Sequence, residues 1–536
     1  MARLTIYDAL ADTTPGVTSV WAKLLREIAW FSRLLVLFPL AWTLGAAAPS
    51  APEAWVPVRW TGGPLELAWR AKTNTLPTDP VVRETLAHWY EPATLALLDG
   101  SAANCLLVTW SAPSEAAAQA EQQQQIKVYT QAAHKRGLAV LGLVYAPGDA
   151  AKIAAEGRQA GLDGLVLEGE FSPAFSSDLR KAAGTGVVVE VVKDAASWRW
   201  KQSPIVALAG VAPNARNLAD MGIRGTPSSQ PWIQSNMWLV RSFRLAMPAR
   251  AVWISSQLEK GSEIDYERAV ADAAAAGGHW IVSLDDALRA KLRARDTSAL
   301  AVWQRILLYQ KFAENHATWR DLPPFGNVGM VLDVESPEKG LADEYLSLAS
   351  RRQVPYRLVQ RSELNASVAA QFRALVATGL DPLSTTERKV LQDFAESGGV
   401  VLVGPSWGGA PVKGPSIEVT TGKGRAIVYK DPDPETVARD LQQLLADEEL
   451  GVVPFNVPSV ITMASAGGSG NPLVVQLVNY FDHPVERITL RVARTVHSAH
   501  LETPGGEAVE LPRQEGEGST EVTIPKLLLW GTVLME

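Results

Sequence analysis

At 536 residues the chain is longer than one hydrophobic core usually supports, since domains stop growing near about 250–300 residues, and two or three domains are expected. Hydrophobic residues at 47% and charged residues at 20% exclude a disordered chain. A formal net charge of −7 without a Lys/Arg block excludes a nucleic-acid footprint and leaves a neutral or weakly polar ligand as the expected partner.

Near the start, Lys23, Arg26 and Arg33 precede the apolar stretch 34–48, LLVLFPLAWTLGAAA. The stretch is shorter than the roughly 20 residues of a spanning helix, contains Pro39, and offers Ala46 and Ala48 for cleavage. Residues 1–48 therefore read as an export signal, followed by a linker over 49–60, and place the protein in the periplasm or outside the cell. The competing reading is an uncleaved membrane anchor. Cys105 is the single cysteine, so no intrachain disulfide forms, and its apolar neighbours put it in a buried strand.

Strand signals follow at 65–70, 105–110, 138–145, 162–170, 187–192, 205–209, 252–257 and 280–285. Helical composition separates them at 115–136, 150–160, 178–183 and 266–276, and a further helix is expected over 300–315. Gly137, Gly161 and Gly277 each stand where a helix must stop before the next strand. Eight strand–helix units over 61–322 predict a closed (β/α)₈ TIM barrel rather than an open doubly wound sheet.

From residue 327 a smaller α/β pattern begins, with parallel strands expected at 328–333, 356–359, 374–378 and 400–403. Helices are expected at 342–350, 386–397 and 435–446. Ser384 with Glu387 has the spacing of a capping box. This unit, 323–450, is flavodoxin-like in layout. Short alternating runs at 473–479, 487–492, 499–502, 521–524 and 528–534 predict a small β-sandwich over 451–536. The Gln122–Gln125 run reads as solvated helix surface.

Successive strand residues face opposite sides of a sheet. On the fourth strand Leu165 and Leu167 are assigned to the helices, which aims Val166, Glu168 and Glu170 into the lumen. The same parity sends Val188 and Glu190 inward on the fifth strand, and Ile281, Ser283 and Asp285 inward on the eighth. The first adds Glu66 and Arg70, if Leu65, Leu67 and Trp69 pack outward. Catalytic groups in such barrels stand at the C-terminal strand ends, which singles out Glu168, Glu170 and Asp285. Carboxyls two residues apart on one strand face lie roughly 6–7 Å apart, so one charge opposes the other's ionisation. Glycoside hydrolysis uses such an acid together with a base or nucleophile. Glu190 and Glu66 lie deeper, where ion pairing with Arg70 or Lys193 is the expected role.

Of 18 Trp, five fall near strand ends or in connecting loops: Trp110, Trp198, Trp200, Trp232 and Trp238. Flat aromatic faces stack on sugar rings. Trp110, Tyr145, Trp198, Trp200, Gln257 and Arg70 are the candidate substrate-binding side chains. The seven His lack HExxH or paired metal spacing, there is no CxxC or GxSxG, and Gly422-Lys423-Gly424 lacks the rest of a dinucleotide loop. No metal and no cofactor are expected.

The order of signal, barrel, a middle unit carrying LVATGLDPLSTTERKVLQDFAESGGVVLVG, and a sandwich ending in VTIPKLLLWGTVLME resembles glycoside hydrolases of the trimeric β-galactosidase type. The resemblance implies an amidotransferase-like middle domain that has lost its nucleophile and serves structure or subunit contact, hence a homo-oligomer. Here Gly379-Leu380-Asp381 follows the third strand of that unit and carries no cysteine. The resemblance also implies an acid/base glutamate ending the fourth strand, at Glu168 or Glu170, and a nucleophile ending the seventh. The seventh strand departs from the pattern, with Gln257 where a glutamate is wanted and Glu259 two residues beyond. Gly161-Leu-Asp-Gly-Leu-Val-Leu-Glu168 is similar to the fourth strand of α-galactosidase-type barrels, where the carboxylate is the nucleophile, although their sixth-strand acid is missing from 205–210. The function expected is an exported hydrolase acting on an oligo- or polysaccharide, with a catalytically inactive glycan-binding or assembly scaffold as the alternative.

Overall fold

The computed structural model describes residues 51–536 apart from 193–202, 217–230, 259–261, 334–338, 381, 410–412, 446, 456 and 468–471. The expected export segment lies outside the described residues.

Eight parallel strands form the first unit: β1 (Pro57–Arg59), β2 (Cys105–Ser111), β3 (Ala139–Val144), β4 (Gly164–Leu167), β5 (Val187–Val192), β6 (Ile205–Ala209), β7 (Ala251–Ser255) and β8 (His279–Trp280). The ring closes where Val58 bridges Val282 and the Arg59 amide donates to the Val282 carbonyl at 2.8 Å. Helices surround it: α1 (Gly63–Lys72), α2 (Pro80–Ala87), α3 (Ala116–His134), α4 (Ala150–Ala160), α5 (Pro173–Ala183), α6 (Met237–Ala246), α7 (Glu263–Ala275), α8 (Asp286–Arg293) and α9 (Thr297–Asn315). A (β/α)₈ barrel was expected and is present.

Two apolar layers hold it. Inside the ring Leu107, Leu141, Val166, Val189, Trp253 and Ile281 fill the lumen. Outside, Leu106, Val140, Leu165, Leu167, Val282 and Trp303 are among the residues that pack strands against helices. At the end of helix α4 the chain must reverse, and Gly161 does so at φ +84°.

Three expectations need correction. Residues 65–70 are not the first strand. They lie in α1, where Pro64 suits a helix's first turn and Leu65/Trp69 and Glu66/Arg70 repeat at helical spacing. The first strand is three residues long and sits in the stretch assigned to the linker, too short to show alternation. On β5 the parity is reversed: Val187, Val189 and Val191 face the lumen, Val188 and Val192 face the helices, and Glu190 points outward to Arg180 at 3.4 Å. Valines occupy both phases of VVVEVV, so the run carries no amphipathic signal. Gln122 is fully buried rather than solvated. Its amide donates to the Gly62 and Thr109 carbonyls, and its oxygen accepts from the Leu65 amide.

The middle unit is a six-stranded sheet of β9 (Val328–Leu332), β10 (Tyr356–Gln360), β11 (Ala374–Val376), β12 (Val400–Val403), β13 (Ser416–Thr421) and β14 (Gly424–Tyr429), in the order β10-β9-β11-β12-β14-β13. The four expected strands pair in parallel, and β13 adds an antiparallel edge. Ser384 and Glu387 form the expected reciprocal cap on α11 (Thr385–Glu396), which follows α10 (Lys339–Arg351) and precedes α12 (Pro434–Leu444).

Two antiparallel sheets make the last unit. One holds β15 (Val452–Phe455), β18 (Val485–Val492), β21 (Arg513–Glu515) and β22 (Thr520–Leu527), and the other β16 (Val460–Ala466), β17 (Leu473–Asn479), β19 (Ala499–Glu502), β20 (Val509–Glu510) and β23 (Trp530–Met535). Its second sheet packs directly on the barrel. Trp530 meets Phe312 of α9 edge-on at 4.8 Å, and the buried Asp272 of α7 accepts from Tyr480, Ser235 and Asn236.

Candidate functional site at the barrel mouth

The C-terminal strand ends surround a cavity of about 1030 Å³. Into it project Arg59 at the end of β1, Tyr145 after β3, Glu168 after β4, Gln257 after β7, and Ser283 and Asp285 after β8. Helix α1 completes the wall with Glu66, Trp69 and Arg70.

Arg59 organises the centre. Its guanidinium grips both oxygens of Glu168, at 2.6 and 2.7 Å, and also donates to Ser255 at 3.3 Å and Ser283 at 3.1 Å. One side chain thereby ties together the ends of β1, β4, β7 and β8. Burial opposes the Arg59 charge, but the Glu168 carboxylate, with Tyr145 and Glu66 near it, outweighs burial and raises the guanidinium above its ordinary value. Glu168 keeps 23% of its side-chain surface exposed, on the side that faces the cavity.

Behind this pair stands Glu66, buried on α1. One of its oxygens, Oε2, accepts from Thr109 at 2.7 Å and from Tyr145 at 3.3 Å. The other, Oε1, accepts no hydrogen bond among the described residues. Burial, then the charges of Glu66 and Glu168, push the Tyr145 phenol well above its ordinary range, so it remains a donor. The ring of Tyr145 lies parallel to Trp69, 6.0 Å apart and 7° between planes.

The far rim is braced differently. Asp285 accepts the Leu288 amide as the helix cap of α8 and the Tyr266 hydroxyl at 2.6 Å. Asp286 pairs with Arg70 at 2.7 Å and with Arg289. Burial raises the Asp286 carboxyl, yet the two arginines more than offset that and hold it below its usual range.

Of the residues singled out from sequence, Glu168, Asp285, Tyr145, Gln257 and Arg70 line this cavity. Glu170 does not: it is exposed beyond the strand end. Gly169 breaks the alternation there, since a Cβ on it would stand 2.8 Å from the Tyr145 carbonyl oxygen. Trp110 is 1% exposed, donates to the Ile153 carbonyl, and packs between strands and helices away from the mouth. Trp198, Trp200, Lys193 and Glu259 lie outside the described residues. Trp232, 39% exposed on the hairpin Asn214–Arg216/Trp232–Gln234, lies under the Arg351 guanidinium, and Trp238 packs on the middle unit. Arg59, Trp69, Asp286 and Arg289 were missed. The available signal for Arg59 was a charged residue directly before Trp60-Thr61-Gly62-Gly63, in a segment otherwise apolar.

No family model matches the chain, and no curated protein sequence does either. Solved structures do. An α-L-fucosidase isoenzyme 2 from Paenibacillus thiaminolyticus superposes with a TM-score of 0.56 at 11% identity, over 83% of this chain and 95% of that one. A catalytic mutant of Gan42B, a GH42 β-galactosidase from G. stearothermophilus, gives 0.52 at 9% identity, over 90% and 98%. The chain is glycoside-hydrolase-like in architecture. At such identities the likeness covers the fold, and the chemistry of this glycoside-hydrolase-like barrel has to be argued from its own mouth.

Proposed function

We propose that the protein binds a carbohydrate at the barrel mouth and cleaves a glycosidic bond there. The reading rests on one observation: Glu168 ends β4 with both oxygens fixed by Arg59 and one face open to a cavity of about 1030 Å³. A carboxylate held in this way is oriented toward the cavity and is suited to attack, or to stabilise, an oxocarbenium-like centre. It is not placed to carry a proton, because both oxygens accept from a guanidinium.

The proton then falls to Glu66, whose Oε1 is uncommitted while Tyr145 and Thr109 hold Oε2. Asp285 and Asp286 are engaged as cap and ion pair and serve the rim. Trp69 and Tyr145 supply the aromatic wall for a sugar ring. The likeness in fold to a fucosidase and a β-galactosidase supports the class, an oligo- or polysaccharide, and no particular sugar. Export is part of the same proposal: the apolar stretch 34–48 with its upstream cations and following small residues reads as a secretion signal. N-terminal sequencing of protein recovered outside the cytoplasm tests it.

The decisive experiment compares Glu168→Gln and Glu66→Gln with wild type on oligosaccharides and on aryl glycosides of graded leaving-group ability. Glu168→Gln is expected to lower kcat by about 10²–10⁴-fold while leaving Kd nearly unchanged. Glu66→Gln is expected to spare substrates whose leaving group needs no protonation. Measurable glycan binding without any hydrolysis by the wild type would replace this reading with that of a binding scaffold.

A further inference from the structure

A second cavity, of about 520 Å³, lies where all three units meet. Helices α6, α7 and α9 form one wall, β10 and the loop after it a second, and β16, β17 and β23 a third. It shares no lining residue with the barrel mouth.

Its chemistry is unusual for a gap between packed units. Four arginines line it, Arg241, Arg244, Arg320 and Arg357, against two carboxylates, Asp321 and Glu363. Arg244 is spoken for by the Gly277 and Arg320 carbonyls and Asp321, and Arg320 by Glu314. The other two are not. Arg357 donates only to Gln371, and its Nε–H is buried without a partner among the described residues. Arg241 has no hydrogen bond or carboxylate partner among the described residues, and its guanidinium lies 5.3 Å from the Tyr356 ring. Burial pushes both guanidiniums below their ordinary value, against a weaker opposing pull from Tyr356 on Arg241. Arg241 is the more deeply buried of the two, and a buried charge is costly unless a counter-charge arrives.

Phe312, Trp319 and Trp530 form the aromatic part of the remaining lining, mixed with the polar His316, Gln371 and Gln476, while Phe372 lies under the Arg357 guanidinium at 4.1 Å. A volume of this size suits a small molecule rather than a macromolecule.

We propose that this junction cavity is a binding site for a small anion carried on a planar apolar body, an aryl carboxylate or an aryl phosphomonoester, with Arg241 and Arg357 taking the anionic group. Two guanidiniums with free donors match the oxygen geometry of either anion, and the aromatic walls take the body. Because the cavity's walls come from three units, occupancy stabilises the assembled chain by mass action.

Calorimetric titration of the full chain with 2-naphthoate and with phenyl phosphate tests this, with 2-naphthamide as the neutral counterpart. The expected result is saturable binding tighter than about 1 mM for at least one anion, and at least about tenfold weaker binding of the amide. The preferred anion separates the carboxylate from the phosphate version. Arg241→Gln and Arg357→Gln, made separately so that one misfolded variant does not decide the matter, are each expected to weaken the anion at least about tenfold. Glu168→Gln should leave it unchanged. Absence of saturable binding of both anions overturns the proposal, as does equal affinity for the amide. Undiminished binding in an arginine variant that melts like wild type, or loss of binding in Glu168→Gln, does so too.

Discussion

Arg59 shows how much one misplaced side chain hides. It is the partner that fixes Glu168, and it sits on a strand of three residues that no alternation could reveal. Glu168, Tyr145 and Gln257 were legible because each ends a run of strand-forming residues, and the C-terminal ends of barrel strands converge by geometry. Trp69 was read as facing helices because its segment was taken for a strand. As part of α1 it instead stands at the mouth beside Tyr145. Truncating Trp69 to Ala removes one face of that wall, and a stacking contribution of about 0.5–1.5 kcal/mol predicts a Kd for oligosaccharide raised about 2- to 12-fold with kcat less affected. Glycan titration of the variant measures it, and unaltered affinity would remove Trp69 from the site.

Elements with a strong local signature came through intact. The Ser384/Glu387 cap, the glycine-terminated helices and the predominantly apolar strands β2 and β3 each state their identity in a few residues. Where both faces of a strand are valine, as in β5, the sequence holds no phase, and Glu190 was consequently aimed the wrong way. Helix α3 gives the opposite lesson. A run of four glutamines looks like solvent-facing surface, yet Gln122 satisfies two backbone groups at the entry to α1 and a third on β2. Gln122→Leu leaves those buried groups without partners, a loss of about 1–3 kcal/mol for each group that water does not reach. The expected outcome is a clear fall in the thermal midpoint, while Gln124→Leu, at an exposed position two residues along, changes it little. Equal midpoints for the two variants would contradict the role assigned to Gln122.

Across the whole molecule, composition and strand spacing revealed three successive units, while the side chains that fasten elements far apart in sequence were not visible, because they are single residues such as Trp530 and His279 with no local pattern. His279 on β8 is one of them. Its Nε2 lies 3.0 Å from Glu314, which also binds Arg320 just before the middle unit, and its Nδ1 is buried without a partner among the described residues. Burial, followed by the Arg320 charge, lowers the His279 value below 6.5, so the unfolded chain binds a proton there more readily than the folded one. Its contribution to stability is therefore complete above about pH 6.5 and declines as pH falls below that. Glu314, opposed by burial but held down to about 2 by His279 and Arg320, adds a second loss between about pH 4.5 and 2. Thermal melts from pH 8 to 4 should show the midpoint dropping below pH 6.5. His279→Gln, which keeps a donor toward Glu314, should flatten that decline, and a variant profile parallel to the wild type would exclude His279 as its source.

Tyr480, Leu529 and Trp530 belong to the same apolar layer that wraps the barrel helices. The barrel precedes the sandwich in the chain, so a patch on α7 and α9 stays bare until the strand that carries Trp530 has been made. Premature termination upstream of Trp530 would thus strip covering from a unit whose own sequence is complete, and nascent chains halted there should attract chaperones and stick to one another.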